Sequence, residues 1–293
     1  MRIWLNAARP RTLPAAIAPV FVGTAAAYSA AGELPRWSGF IAALTASVLI
    51  QIGTNLANDY SDARRGADSA DRLGPVRVTS AGLVTPQRVL VATWIAFGLA
   101  ALLGVYLAVL AGPIILLVGA LSIAAGVLYT GGPRPYGYAG LGEVFVFLFF
   151  GLVSVNGSYY VQLESLSWVS FGLSVAVGGL ATAILVVNNV RDLDTDRRAN
   201  KTTLAVRIGR ERTRSLYLIL MLGSFLVLAL TIVANGGPWP ALAGLAALPL
   251  VRRPIAAVRN RTDGPSLNRA LADTGAVLGL FALLTAIGLV VGG

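Results

Sequence analysis

Apolar runs of about 20 residues recur from one end of the chain to the other, and they constrain the fold more than any other feature. A run of this length crosses the hydrocarbon core of a bilayer as an α-helix. Hydrophobic residues make up 56% of the chain and charged residues only 12%, which excludes a soluble domain of this size. We therefore expect an all-α, polytopic membrane protein. The first run lacks a signal-peptide cleavage pattern, so we interpret it as a retained helix.

Nine stretches nearly free of charge are candidate transmembrane helices. The eighth is the shortest and contains Pro249, so its length alone would also fit an interfacial or re-entrant segment. The nine stretches are residues 12–32, 37–58, 89–111, 113–132, 144–163, 166–190, 215–235, 239–251 and 274–292.

The distribution of lysine and arginine predicts the topology. If all nine stretches cross the membrane and the N-terminus is cytoplasmic, every one of the 23 basic residues except Arg36 lies on the cytoplasmic side, as the positive-inside rule requires. If the eighth stretch did not cross, the arginines between residues 252 and 269 would lie on the wrong side. We therefore predict nine spans with the C-terminus outside. The net charge of +10 then describes a basic cytoplasmic face suited to anionic headgroups and substrates.

Two polar motifs of matched spacing, NLANDYSD and NNVRDLDTD, each follow an apolar run. Each motif places an asparagine and two aspartates along one stripe of a helix. These residues are Asn55, Asp59 and Asp62 in the first motif, and Asn188, Asp192 and Asp196 in the second. Four predicted spans separate the motifs, so both emerge on the same side, as in a parallel duplication. We expect a single domain over residues 1–293, with a first half at about 1–135, a second half at about 140–255, and a ninth helix.

The residue types at these motifs favour a hard metal cation. The chain contains no histidine and no cysteine, which excludes His-ligated zinc, haem held by histidine, thiolate catalysis and a Ser-His-Asp mechanism. If the two helix ends face each other, four carboxylates converge, and each like-charge pair near 6 Å costs on the order of 3 kcal/mol at an effective dielectric near 20. Mg²⁺ relieves this repulsion and is typically bound by few carboxylates together with substrate phosphates. We therefore expect a phosphate-bearing substrate.

Basic residues lie beside both acidic sets and complete the pattern. They are Arg64, Arg65, Arg77, Arg134, Arg191 and Lys201. A metal ion with basic side chains is the arrangement that neutralises a diphosphate leaving group. Ordinary topology also places basic residues at cytoplasmic helix ends, but it does not explain the matched spacing of the aspartates.

The two motifs resemble the aspartate-rich motifs of the UbiA superfamily of intramembrane prenyltransferases, and the resemblance extends over nearly the whole chain. Three further sequences, ARPRTLPAAIAPVFVGTA, GPVRVTSAGLVTP and YTGGPRPYGYAGLGE, are similar to the subgroup that acts on 1,4-dihydroxy-2-naphthoate. The resemblance implies nine helices around a central cavity, in a bacterial cytoplasmic membrane with the active site on the cytoplasmic side. It also implies transfer of a polyprenyl group from polyprenyl diphosphate to the naphthoate with decarboxylation, giving demethylmenaquinol for menaquinone.

The resemblance also implies roles for individual residues. One Mg²⁺ would be held by Asn55, Asn58, Asp59 and Asp62, and a second by Asp192 and Asp196. The diphosphate would be bound by Lys201, Arg77, Arg134, Arg65 and Arg191. The aspartates of both motifs are thus catalytic, and Tyr129 and Asn188 would stabilise the allylic cation and steer the acceptor. Arg9 and Arg11 are candidates for binding the acceptor carboxylate, and Asp68 extends the first motif with looser spacing.

Two alternatives remain open at this point. The same enzyme class could use another acceptor, such as 4-hydroxybenzoate, homogentisate or haem. Parallel repeats and glycine-rich spans are also typical of membrane transporters. However, transporters place ionisable groups near the bilayer midplane, and the charged residues of this chain lie near the ends of its apolar runs.

Overall fold

The computed structural model describes residues 2–34, 36–66, 73–74 and 76–293. Every regular element within these residues is helical, so the predicted all-α fold is confirmed. The α-helices are α1 (Arg2–Ala8), α2 (Pro14–Ala31), α3 (Trp37–Arg64), α4 (Pro86–Ala111), α5 (Ile114–Leu128), α6 (Gly142–Val146), α7 (Ser154–Leu163), α8 (Trp168–Arg198), α9 (Leu204–Ile208), α10 (Arg210–Ala234), α11 (Arg252–Asn260) and α12 (Gly264–Gly292). Three 3₁₀ segments, Pro10–Thr12, Tyr136–Ala139 and Trp239–Val251, and one π-helical segment, Phe147–Val153, connect some of them.

Eight helical segments in the described part of the chain are long and apolar enough to cross a membrane. The predicted eighth span forms a 3₁₀ helix that continues into α11, so the combined segment Trp239–Asn260 has 22 residues. A 3₁₀ helix rises about 2.0 Å per residue, which extends this short stretch. Within predicted stretch 113–132, α5 has only 15 residues, fewer than a perpendicular crossing needs. The count of nine spans and the orientation of the termini therefore stay predictions.

Helix α8 is the centre of the main hydrophobic core. It packs against α2, α10, α12 and the π-helical segment, and most of its apolar side chains are buried. Helices α3, α4 and α5 pack mainly against one another around smaller apolar clusters. The fold thus has two helix groups with the two acidic motifs on different groups, one on α3 and one on α8.

The π-helical segment approaches α8 closely because glycine faces glycine. A Cβ atom on Gly151 would lie only 2.7 Å from the Cα atom of Gly178, so neither position has room for a side chain. The wide turn interrupts the helical path between α6 and α7 and places Phe149, Phe150 and Val153 in the wall of a cavity. Such π segments occur frequently at functional sites.

Both helices that carry acidic motifs continue beyond their apolar stretches. Helix α3 ends at Arg64 and α8 at Arg198, each several residues past the end of the charge-free sequence. The motifs are therefore helical, and the predicted alignment of their polar residues along one stripe per helix is consistent with these bounds.

Candidate active site

A cavity of about 1040 Å³ lies between α3, α4, α5 and the helices α7 and α8, and it receives residues of both acidic motifs. Its polar lining residues include Asn55, Asn58, Asp62, Arg77, Asn188, Asn189, Asp192, Asp196 and Lys201. The remaining wall is apolar and is built largely of small residues on α4 and α5, among them Ala100, Gly104 and Gly119. The two motifs therefore share one chamber, which has a charged part and a long apolar part.

Asp62 is the hub of the polar network at the charged part. Its Oδ1 atom accepts a hydrogen bond of 2.6 Å from the Tyr138 hydroxyl and lies 3.2 Å from Lys201 Nζ. Its Oδ2 atom accepts from Arg77 Nη2 at 2.8 Å. Asp62 is only 1% exposed, so its charge depends on these two cations for compensation. Lys201 follows the second motif, and this ion pair therefore joins the first motif to the segment directly after the second.

A turn after α8 folds Lys201 back over the cavity. Asn200 has a left-handed backbone conformation with φ of +56°, which asparagine tolerates better than most residues. The backbone N–H of Thr202 donates to the carbonyl of Tyr138 at 3.0 Å, which fixes the turn against the loop after α5. The Lys201 ammonium lies 4.7 Å from the centroid of the Tyr138 ring. Local turn chemistry and a cation–π contact thus position this lysine.

Arg191 neutralises the second motif from outside the cavity lining. Its guanidinium donates to both carboxylate oxygens of Asp192, from Nε at 2.7 Å and from Nη2 at 2.6 Å. It also donates to Asn188 Oδ1 and Asn268 Oδ1, each at 2.7 Å. Arg191 is 2% exposed, so the pair with Asp192 is buried. The predicted contact of Arg191 with diphosphate stays a prediction.

Asp59 is directed to the backbone after Arg77 and is absent from the cavity lining. Its two carboxylate oxygens accept hydrogen bonds from the N–H groups of Val78 and Thr79, at 3.0 and 2.9 Å. These bonds fix the segment that places Arg77 against Asp62. Three of the four predicted aspartates therefore line the chamber, and the fourth holds its wall; metal binding by Asp59 stays a prediction.

The two asparagines of the first motif line the cavity and also tie neighbouring segments to it. Asn58 Oδ1 accepts from the Thr130 hydroxyl at 2.8 Å. Asn55 Nδ2 donates to the Ala8 carbonyl at 3.0 Å and to the Thr12 hydroxyl at 3.2 Å. These bonds dock α1 and the loop after α5 onto α3.

The other predicted residues fall into two groups by position. Asp196, Asn188, Tyr129 and Arg9 line the cavity. Arg65, Arg11 and Arg134 are exposed and are not part of its lining. Arg65 nevertheless donates to the Gly132 carbonyl and lies 5.6 Å from the Tyr138 ring centroid, so it borders the charged part of the site. Asp68 lies outside the described residues, and the roles of all these residues stay predictions.

The donor set fits a hard cation that shares its coordination with a substrate. The side chains at the charged part offer carboxylate and amide oxygens, the ligands that Mg²⁺ prefers. Among the described residues, no three acidic side chains lie close enough together to hold one metal ion by themselves. Oxygen ligands from a bound diphosphate would complete the coordination, which is how Mg²⁺ is usually bound in phosphoryl sites.

An aromatic column forms the wall next to the charged part. The Tyr129 and Tyr136 rings meet edge to face with centroids 5.4 Å apart, and Tyr136 stacks on Phe145 at 3.9 Å. The Tyr136 hydroxyl donates to the Ala125 carbonyl at 2.8 Å. Burial raises the pKa of the Tyr136 hydroxyl above its ordinary value, so this residue stays neutral at physiological pH.

Sequence reasoning missed four residues of the site. Tyr138, Glu143, Asn189 and Asn268 contact the residues described above or line the cavity. Tyr138 and Glu143 lie within YTGGPRPYGYAGLGE, and the resemblance of this sequence to the family subgroup was a usable signal. Asn189 lies within the motif NNVRDLDTD, which was a usable signal. Asn268 had none, because only its partners in the fold distinguish it from an ordinary polar residue.

Comparison with known proteins identifies the family of the chain. The UbiA prenyltransferase family matches residues 16–281. A 1,4-dihydroxy-2-naphthoate octaprenyltransferase of Mycobacterium tuberculosis is 46% identical, with 97% of this chain and 95% of the relative covered. The Escherichia coli protein of the same description is 43% identical, with 78% and 75% covered. A UbiA homologue from Archaeoglobus fulgidus, solved bound to DMAPP and Mg²⁺, has a TM-score of 0.68 at 14% identity, with 98% of each chain covered. The chain belongs to the UbiA prenyltransferase family.

Proposed function

We propose that this protein transfers a polyprenyl group from polyprenyl diphosphate to 1,4-dihydroxy-2-naphthoate, the prenylation step of menaquinone biosynthesis. The carbon–oxygen bond of the donor breaks, a carbon–carbon bond to the ring forms, and diphosphate and carbon dioxide leave. Relatives of 46% and 43% identity are described as octaprenyltransferases for this acceptor. The observation that carries the proposal is the chamber that both motifs line, in which Asp62 of the first motif meets Lys201 from the segment after the second.

The donor would lie with its diphosphate at the charged part and its tail along the apolar wall. Lys201 and Arg77 provide two cations beside Asp62, and the diphosphate oxygens would compete with this carboxylate for them. The wall that α4 and α5 contribute is mostly apolar and is rich in alanine and glycine, with Ser122 among its few polar residues. A polyprenyl chain would bury its apolar surface against this wall, which the hydrophobic effect favours.

Mg²⁺ is the cation that the donor set fits, and the Archaeoglobus protein of the same fold is bound to it together with DMAPP. Asn55, Asn58 and Asp62 would hold one ion, and Asp192 and Asp196 a second; Asp59 would support the first through the backbone it fixes. When bound, the metal would neutralise the diphosphate and make it a better leaving group.

The residues around the breaking bond would protect and orient the reactive species. Tyr129 and Asn188 line the chamber near the aspartates, and an aromatic face stabilises a nearby cation. The apolar wall excludes water, which would otherwise trap the allylic cation. Arg9 lines the chamber whereas Arg11 is exposed, so we propose Arg9 as the partner of the acceptor carboxylate. We place the chamber on the cytoplasmic side of the bacterial membrane, because the basic loops lie at the ends of the motif helices. We also propose a single domain built from two parallel repeats, because the two motifs have matched spacing.

The test is turnover by purified protein in detergent with Mg²⁺, octaprenyl diphosphate and acceptor labelled in its carboxyl group. Prenylated quinol and labelled carbon dioxide should form in equal amounts, and chelation of Mg²⁺ should abolish both. Asp62→Asn should reduce kcat/KM by at least about 10²-fold, the scale of a lost electrostatic contact in the transition state. Asp194→Asn is the matched control, because Asp194 is exposed on the same helix as Asp192 and pairs with Arg210.

Parallel assays separate the alternatives. Faster turnover of 4-hydroxybenzoate or homogentisate than of the naphthoate would contradict the proposed acceptor while leaving the enzyme class intact. Absence of any prenylated product, together with movement of substrate across proteoliposomes, would instead favour a transporter.

A further inference from the structure

Glu143 and Asn189 form a buried polar pair beside the cavity that the proposed donor site does not use. Glu143 lies in the first turn of α6, Asn189 lies on α8, and each is 5% exposed. Asn189 Nδ2 donates to Glu143 Oε1 at 2.8 Å. The second oxygen, Oε2, is buried without a hydrogen-bond partner among the residues that the structure describes. A carboxylate buried in this way is costly, so simple packing does not account for the pair.

The pair fixes the direction of the Asn189 amide. The Nδ2 atom of Asn189 is the one that lies 2.8 Å from Glu143 Oε1, so the amide NH₂ faces Glu143. The carbonyl oxygen Oδ1 therefore lies on the other side of the amide. Asn189 lines the cavity, whereas Glu143 is not among the lining residues. Glu143 thus occupies the donor side of the amide, and the carbonyl oxygen is the atom of this amide that is left to meet a group in the chamber.

The pair lies close to groups that the proposed function assigns to the reaction. Asn189 precedes Asp192 by three residues on α8, which places it about 4.5 Å along the helix axis from that aspartate. A Cβ atom on Gly142, the neighbour of Glu143, would lie 3.5 Å from the Tyr129 hydroxyl. The pair therefore borders both the second acidic motif and the aromatic column. A ring carbon that captures the allylic cation beside Tyr129 brings the hydroxyls of its ring into this region.

We infer that Asn189, oriented by Glu143, accepts a hydrogen bond from one ring hydroxyl of the aromatic acceptor and thereby selects which ring carbon faces the cation. Asn189 is then a substrate-binding residue and Glu143 a positioning residue. The inference rests on the proposed function, because it requires a phenolic acceptor. A site built to bind a hydroxyl discriminates strongly against an analogue that lacks its proton.

The test compares the dihydroxynaphthoate with its two monomethyl ethers in the wild type and in variants. In the wild type, one ether should lose about 10- to 100-fold in kcat/KM, the range of one lost hydrogen bond in a buried site. Asn189→Ala should lose a similar factor on the unmodified acceptor and should show no further loss on that same ether. The KM for the prenyl diphosphate should stay within about twofold. Asn235→Ala is the control, since the Asn235 side chain donates to the Thr231 carbonyl in its own helix end and Asn235 is outside the cavity lining.

Variants of Glu143 separate positioning from a proton-transfer role. Glu143→Ala should reproduce the loss of Asn189→Ala, because the amide is then free to rotate. Glu143→Gln should restore most of the activity, because its side-chain carbonyl can still accept from Asn189. If Glu143→Gln is as inactive as Glu143→Ala, the positioning role is overturned.

Two further results would also overturn the inference. The first is equal turnover of the diol and both ethers in the wild type, a comparison that does not depend on any variant folding. The second is a loss in Asn189→Ala that is the same on the diol and on each ether. Failure of the wild type to prenylate the diol would instead refute the proposed function. If another phenol is the acceptor, the same comparison with its methyl ether tests the inference.

Discussion

Replacing Arg191 by leucine should destabilise the protein strongly and expose the second acidic motif to metal. Arg191 makes two hydrogen bonds to Asp192, at 2.7 and 2.6 Å, and Asp192 is 5% exposed. Removing one partner of a buried pair leaves an uncompensated charge and costs about 3–5 kcal/mol. For a chain of about this size, each kcal/mol of lost stability lowers Tm by about 2–4 °C, so the expected fall in Tm is roughly 6–20 °C.

The assay is thermal unfolding in detergent, with and without Mg²⁺ and in the absence of diphosphate. Because Asp192 has lost its guanidinium partner, Mg²⁺ should raise the Tm of Arg191→Leu more than that of the wild type. Arg197→Leu is the matched control, since Arg197 is exposed on the same helix and its replacement should change stability by less than about 0.5 kcal/mol. A Tm of Arg191→Leu within about 2 °C of the wild type would refute the view that this arginine neutralises a buried carboxylate. Equal stabilisation of both proteins by Mg²⁺ would refute the assignment of Asp192 as a metal ligand.

Three other predictions concern Asp59, Tyr136 and Gly151. Asp59→Ala leaves two buried backbone N–H groups without acceptors and should cost about 2–6 kcal/mol; a loss of activity with unchanged thermal stability would contradict this. Burial raises the pKa of the Tyr136 hydroxyl. The stability that its neutral form provides is therefore fully present below pH about 10 and is lost as the pH rises from there through the raised pKa. Tyr136→Phe should reduce the fall in Tm at alkaline pH, measured by circular dichroism. Gly151→Ala overpacks against α8 and should cost at least about 1–3 kcal/mol, whereas Gly157→Ala meets open space and should leave Tm within about 2 °C of the wild type.

Local spacing and composition are enough to predict several features of this protein. Apolar runs and the near absence of charge within them require membrane helices, because unpaired backbone groups are not tolerated in lipid. Helical periodicity alone puts the polar residues of each motif on one face of their helix. This holds for Asn55 and Asp62, and for Asn188 and Asp196. The nine-span topology and the two-repeat organisation are further inferences from the sequence, and they stay predictions.

The tertiary structure decided which charged groups meet. Asp59 and Asp62 are equivalent in the motif, yet one fixes a backbone segment and the other joins Lys201 in the cavity. Arg191 and Arg134 are both basic residues near a motif, yet one is enclosed with Asp192 and the other is exposed. These outcomes depend on side-chain partners that lie far apart in sequence, and on the desolvation of each charge by packing. Helical spacing fixes the face on which a residue lies, and only the assembled fold supplies the partner that it meets there.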